Sequence, residues 1–386
     1  MAFAHLTNDS YAYMLPALLP LLLGKLGIGL GIAGLLVTLY QASSSFTQPF
    51  FGHLSDSGTR TRWMAWTGVS LSGLAAAALG LAPNIAVLAV ALMAGGLGTA
   101  LYHPVSAALV AGSVPRRSRG RWMSAYISAG NFGLPIGPFL IGVILATIGL
   151  GGTWLIALPA LLFGVLVWRM GPTLPARTTA PLSLRAVLSG NRRMLTGLVS
   201  VSATRAWASA LVSTFLPLYA VSLGASVVDA SRLLTLYLLS GAIGGLAGGW
   251  MADRLGRDRV IIVSLLCAAP FCLLLALQSA VGPALITATA VSGMLLNGSF
   301  VVLAVRGQES MPGSLGMVSG LMLGLSIGLG GLAVAPMGLI AERAGIPPVF
   351  VVAGGLAIVG AIFMRAVPRP PVAAAHDAAR LAAAAT

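Results

Sequence analysis

Among the ionisable side chains inside long apolar runs, three carry the sharpest chemistry: Asp9, His103 and Arg205. Each is a type that lipid-embedded sequence rarely keeps without a use. A carboxyl at position 9 can take up and release a proton. The imidazole of His103, which lies just before Pro104, titrates near neutral pH and can share that proton or touch a solute. The guanidinium of Arg205 can hold an anion or act as counter-charge to Asp9. Plainer readings stand beside these. Asp9 lies near the chain start and can cap a helix, His103 can be satisfied by a backbone carbonyl at the proline kink, and Arg205 can snorkel to the membrane surface.

Around them, Tyr11, Tyr40, Gln41, Tyr126, Asn131, Trp207 and Tyr237 place polar or aromatic groups on apolar runs. Together they could line a mostly apolar cavity with a few polar contacts, and singly each is ordinary packing. Arg306 and Glu309 close another apolar run and are expected at its mouth, as a gate or a solvated face. No phosphate-binding loop, zinc spacing or nucleophile elbow is visible, so the expectation is no enzyme, no cofactor and no metal. Cys267 and Cys272 share one apolar run and read as packing residues.

The elements that must position these groups follow from composition. Hydrophobic residues make up 58 % of the chain and charged residues 8 %, with a mean hydropathy of +0.96. A soluble domain carries roughly 25 % charged residues. The apolar runs are long enough to cross a bilayer as helices, at about 20 residues each. Twelve spans are expected, at 1–23, 30–54, 63–82, 84–112, 120–148, 150–170, 195–221, 228–252, 258–280, 282–308, 313–342 and 346–367. The fold class is an all-α polytopic membrane protein.

The chain also repeats itself. Gly52, Asp56, Arg60 and Arg62 recur 197 residues later (249 − 52) as Gly249, Asp253, Arg257 and Arg259. The same offset takes Pro20 to Pro217, Gly27 to Gly224, Tyr40 to Tyr237 and Asn8 to Arg205. The twelve spans therefore form two six-helix pseudo-repeats. The expected division is a bundle at 1–170, a linker at 171–194, a second bundle at 195–367 and a tail at 368–386. Residues 182–194 could form a basic surface helix, or the linker could be a simple tether. The net charge of +14 comes from arginines gathered in alternate loops, the linker and the tail. The opposite loops hold Lys25, Arg232 and Arg343. That asymmetry is topology rather than a nucleic-acid surface, and it places both termini in the cytoplasm.

The paired Gly-x-x-x-Asp-x-x-x-Arg loops suggest a latch. Gly52 and Gly249 would let a neighbouring helix approach, and Asp56 and Asp253 would cap helix N-termini in the other half. Asp56 is expected near 314–317, and Asp253 near 119–122.

With these loops, six-plus-six spans and a central linker, the sequence resembles the major facilitator superfamily over nearly its whole length. Gly133-x-x-x-Gly137-Pro138 in span five is similar to the Gly-Pro motif of that superfamily's antiporters. These residues would bend the span and allow tight packing at the seam between halves. A narrower resemblance is to the fosmidomycin-resistance group of drug exporters. It is carried by Asn8-Asp9, Gln41, Gln48-Pro49, Gly98-x-x-x-Tyr102-His103-Pro104, Gly130-Asn131-Phe132-Gly133, Gln308-Glu309 and Gly316-Met317-Val318-Ser319-Gly320. Val105 stands where that group's pattern would have an acidic residue.

The resemblance implies a monomeric transporter in the bacterial inner membrane, and proton-coupled efflux of small drug-like compounds with antibiotic resistance as its effect. Spans one, four, seven and ten would line its cavity. Two other functions fit the residues: import of a small organic anion with Arg205 as clamp, and a receptor or scaffold that moves nothing.

Overall fold

The computed structural model describes residues 1–55, 61–171, 192–310 and 326–368. The described residues are almost wholly helical. Nine of the helices are long and apolar enough to cross a membrane. They are Thr61–Leu81, Ile85–Ser113, Arg121–Thr147, Leu150–Met170, Arg192–Ser222, Val227–Leu255, Arg257–Ala276, Pro283–Ser310 and Pro347–Ala366.

The remaining three spans are each broken in two, and a proline explains each break. Span one is α1 (Ala2–Ser10), a 3-10 turn at Tyr11–Tyr13, and α2 (Met14–Leu26), with Pro16 just beyond the turn. Span two is α3 (Leu30–Phe46) and α4 (Gln48–Ser55), parted at Thr47 beside Pro49. The described part of span eleven is Ser326–Leu332 and Val334–Ala344, parted at Ala333 ahead of Pro336. Proline has no N–H for the preceding turn and crowds the carbonyl behind it. Twelve spans are thus accounted for, though the first runs to Leu26 rather than 23. The surface helix considered for 182–194 meets a difference at its end: Arg192–Met194 already belong to the long helix of span seven, while the rest of the segment lies outside the described residues.

In chain order the other helices used below are α5 (Thr61–Leu81), α6 (Ile85–Ser113), α7 (Arg119–Thr147) and α8 (Ala157–Met170). They continue as α9 (Arg192–Ser222), α10 (Val227–Leu255), α11 (Arg257–Ala276), α12 (Pro283–Ser310), α13 (Ser326–Leu332), α14 (Val334–Ala344) and α15 (Pro347–Ala366).

The repeat is visible in local geometry. Gly27 and Gly224, one repeat offset apart, follow helices that carry Pro20 and Pro217, and both take positive φ, 63° and 91°. That conformation favours glycine at a helix end.

Contacts between the halves gather toward the ends of the helices that face away from the arginine-rich loops. The Gly31 N–H at the start of α3 donates to Glu342 Oε2 on α14 at 2.9 Å. Thr38 donates to the Gly331 carbonyl at 2.6 Å and accepts from the Ala335 N–H at 3.2 Å. Near the end of α7, the space beside Gly142 is filled by Ser231 of α10.

Candidate functional site

Asp9 lies near the end of α1, so it does not cap that helix's start. Its carboxylate is a junction of three spans. His103 Nε2 of α6 lies 2.8 Å from Oδ1, and His5 Nε2, one turn back on α1, lies 3.3 Å from Oδ2. Asn8 adds an N–H to Oδ1 at 3.2 Å. His5 Nδ1 is 2.8 Å from the Tyr126 backbone carbonyl of α7, and its ring stacks on that tyrosine at 4.1 Å. The Tyr126 hydroxyl in turn bonds Ser106 of α6.

The proton inventory follows from this geometry. A carbonyl only accepts, so His5 Nδ1 carries a hydrogen. The contact between His5 Nε2 and Asp9 then needs one more proton, on the imidazole or on the carboxyl. His103 faces the other carboxylate oxygen with a second exchangeable position. Asp9 thus sits between two groups that can trade a proton with it. Two imidazoles and a carboxylate, with ligand atoms within 4.8 Å of one another, are also donor types that a divalent ion takes. The 2.8 Å contact is hydrogen-bond geometry.

Close packing of α7 on α1 builds the cluster's wall. A side chain at Gly130 would strike both His5 and Asp9. One at Gly133 would strike the Leu6 carbonyl, and one at Gly137 the Ser10 carbonyl. This corrects the expectation for the Gly133/Gly137 motif: it packs two helices of the same half instead of the seam between halves. Pro138 lies inside α7, which remains one continuous helix.

Arg205 lies in the other half, on α9, and is 5 % exposed, so it does not snorkel. The Phe300 ring of α12 covers its guanidinium at 4.6 Å. One N–H reaches the Leu296 carbonyl at a long 3.5 Å, and Nε finds no acceptor. No ion pair joins it to Asp9, whose partners are the two histidines.

The polar-aromatic set does not gather into one cavity. Tyr11 and Tyr40 border a narrow cleft inside the first half, where Tyr11 donates to the Ile156 carbonyl and Tyr40 meets Thr99. Tyr40 and Gln41 border a second cleft at the seam with Tyr13, Ser213 and Thr214. Tyr126 belongs to the Asp9 cluster. Trp207 donates its indole N–H to the Leu329 carbonyl at 2.5 Å, and Tyr237 donates to Ser209 Oγ at 3.1 Å. Asn131 is half-buried on α7. His5 and Tyr13 do not stand out in the sequence alone. The His5–Asp9 spacing of one helical turn is the signal that could have found the first.

The chain matches the family profile described as Major Facilitator Superfamily over residues 1–335 and again over 198–384. It belongs to the major facilitator superfamily. It is therefore a multi-pass membrane transporter and not an enzyme. It is 32 % identical over 374 residues to the fosmidomycin resistance protein of Escherichia coli, covering 93 % of this chain and 90 % of that one. An uncharacterised transporter of the same superfamily from Bacillus subtilis is 29 % identical at the same coverage. Among solved structures, a bacterial homologue of the lysosomal transporter Spinster superposes with a TM-score of 0.80 at 14 % identity, covering 95 % of each chain. A D-xylose–proton symporter gives 0.76 at 18 %, covering 96 % of this chain and 97 % of that one. At these identities the structures establish the superfamily fold alone.

The superfamily's repeated loop is described in its second copy. Asp253 is largely exposed and pairs with Arg257 one turn on, at 2.9 Å. Arg257 also pairs with Glu309 at the end of α12, at 2.9 Å. The expected approach of Asp253 to 119–122 is therefore replaced by a pairing within its own half. A Cβ at Gly249 would likewise meet no described atom within 4 Å, and one at Gly52 would make an ordinary contact with Pro104. Both differences follow from where the halves touch, at the opposite ends of the helices. Asp56, Arg60 and residues 314–317 lie outside the described residues. Arg306 differs from the expected solvated face: it is 1 % exposed and bonds Asp258 at 2.6 Å, Ser310, and the Pro368 carbonyl at 2.8 Å.

Proposed function

We propose that this transporter exports small amphipathic compounds from the bacterial cytoplasm in exchange for protons. The observation that carries the reading is the Asp9 junction, a largely buried carboxylate held between two imidazoles from spans one and four. An intramembrane acid with exchangeable partners is the expected form of a proton site. The similarity to a fosmidomycin resistance protein supports efflux as the direction.

The mechanism is alternating access, with halves 1–170 and 195–367 rocking about the seam, in a monomer whose termini lie in the cytoplasm. The inter-half bonds at Gly31, Thr38 and Ala335 lie on the arginine-poor side, which we assign to the periplasm. In this conformation the closed side is thus periplasmic. The Asp9 cluster would load a proton when that side opens and release it to the cytoplasm in the conformation seen here. The Gly52–Asp56–Arg60 and Gly249–Asp253–Arg257 loops would engage across the seam when the cytoplasmic side closes, freeing Asp253 from its exposed pair with Arg257.

Everted membrane vesicles test this. An acid interior should drive uptake of a fluorescent amphipathic dye into vesicles containing the wild type, and Asp9→Asn should abolish it. Unchanged pH-driven uptake by Asp9→Asn would remove Asp9 from the coupling role.

A further inference from the structure

Arg205 is a buried cation without a counter-charge among the described residues. The sequence holds eight acidic residues. Six of them are described, and each is engaged elsewhere. Asp9 is held by His5 and His103, Asp229 pairs with Arg232, and Asp253 and Glu309 share Arg257. Asp258 pairs with Arg306, and Glu342 accepts the Gly31 N–H. The other two, Asp56 and Asp377, lie outside the described residues, and among the described residues Arg205 carries no ion pair. A desolvated guanidinium with an idle N–H is costly, and a fold keeps one when something else supplies the acceptor.

The surroundings say what that acceptor is. The Phe300 ring lies over the guanidinium carbon and offers its N–H donors no acceptor, and such donors suit a planar or tetrahedral oxyanion. Tyr13 of the first half and Tyr237 of the second both lie within electrostatic reach of Arg205. Tyr237 is already committed to Ser209. Tyr13 has no hydrogen-bond partner among the described residues, and it borders the seam cleft with Gln41 and Ser213. An unbonded hydroxyl at the seam and an unbonded N–H within electrostatic reach of it thus come from opposite halves.

We propose that Arg205 is the anion-binding group of the transported solute. The substrate class is a small organic oxyanion, a carboxylate or phosphate ester, whose charged end bonds Arg205 and Tyr13 while its apolar body lies in the seam. This inference rests on the transport reading above and names the substrate for it. Because Arg205 and the Asp9 cluster lie in opposite halves, proton and solute are linked through the movement of the halves and not by competition for one group.

The test is equilibrium binding to the purified full-length protein in detergent, read by thermal shift without any gradient. Benzoate and phenyl phosphate are the probes, with benzamide and benzylammonium as the neutral and cationic counterparts. The wild type should be stabilised by the two anions and not by the counterparts. Arg205→Gln should weaken anion binding about tenfold or more, Arg205→Lys should keep part of it, and Tyr13→Phe should weaken it a few-fold.

Anion binding that is undiminished in Arg205→Gln, or a wild type that favours benzamide or benzylammonium, overturns the proposal. If Arg205→Gln does not fold, the wild-type charge preference together with Tyr13→Phe decides it. The two readings fail separately. Anions that bind through Arg205 without pH-driven flux leave this site standing and remove the proton coupling. Coupling through Asp9 without anion preference does the reverse.

Discussion

His103 Nε2 and Asp9 Oδ1 meet at 2.8 Å although 94 residues separate them in the chain. The contact binds span four to span one at the carboxylate, so the two side chains act as a unit. His103→Gln keeps a donor at about the same reach but cannot titrate. Dye binding should therefore survive, while pH-driven accumulation in everted vesicles falls by roughly tenfold or more as the pair loses a group that can exchange a proton. Equal loss of binding and accumulation would point to a structural role for the pair.

The glycine face of α7 gives a stability prediction with an internal control. A methyl group at Gly137 meets the Ser10 backbone carbonyl, which cannot move without α1, whereas one at Gly249 meets nothing within 4 Å. Gly137→Ala should lose about 1–3 kcal/mol through overpacking. Its unfolding midpoint in detergent should drop by several degrees, with Gly249→Ala at the wild-type value or slightly above.

Glu342 offers a handle on the conformational equilibrium. Its carboxylate is exposed and takes the first-turn N–H of Gly31 across the seam, adding a charge–dipole attraction. Such an exposed contact is worth about 0.3–1 kcal/mol, so Glu342→Gln should shift the population of the opened state by roughly twofold to fivefold. Maleimide labelling of Ser231→Cys, a fully buried position on α10, can report it once Cys267 and Cys272 are replaced by alanine. Faster labelling is the expected outcome, and an unchanged rate would show that the bond carries no weight in closure.

The pair of Arg306 with Asp258 should behave as a buried ion pair. Asp258→Asn leaves a guanidinium that is 1 % exposed without its charge partner. Because Asp258 itself is one-third exposed, the loss is discounted to about 1–3 kcal/mol from the fully buried case. Removing both charges in an Asp258→Asn, Arg306→Met variant should recover part of it, and a thermal melt of the two variants checks the order.

Much of this fold is legible in the sequence because membrane spanning imposes long apolar runs, and a duplicated loop fixes the pairing of halves. Asp9, His103 and Arg205 are conspicuous for the same reason: charge is rare in such runs. His5 is harder to see, because its role depends on the Tyr126 carbonyl and on the glycines that bring α7 within reach of α1. Glu342 and Gly31 are 311 residues apart and meet only because the halves close at that end, so no local pattern reports them. The expected ring of Tyr11, Tyr126, Trp207 and Tyr237 dissolves for a similar reason. Each side chain satisfies its own polar atom against a nearby helix, and helical periodicity alone does not show which neighbour that is.

The bond from Arg306 to the Pro368 carbonyl fastens the outgoing end of the last span to the end of α12. Affinity handles or fluorescent reporters fused downstream of Pro368 should leave production yield untouched. Trimming the gene a few codons earlier would strip a buried cation of one of its acceptors and cost expression, a practical boundary for anyone preparing this transporter.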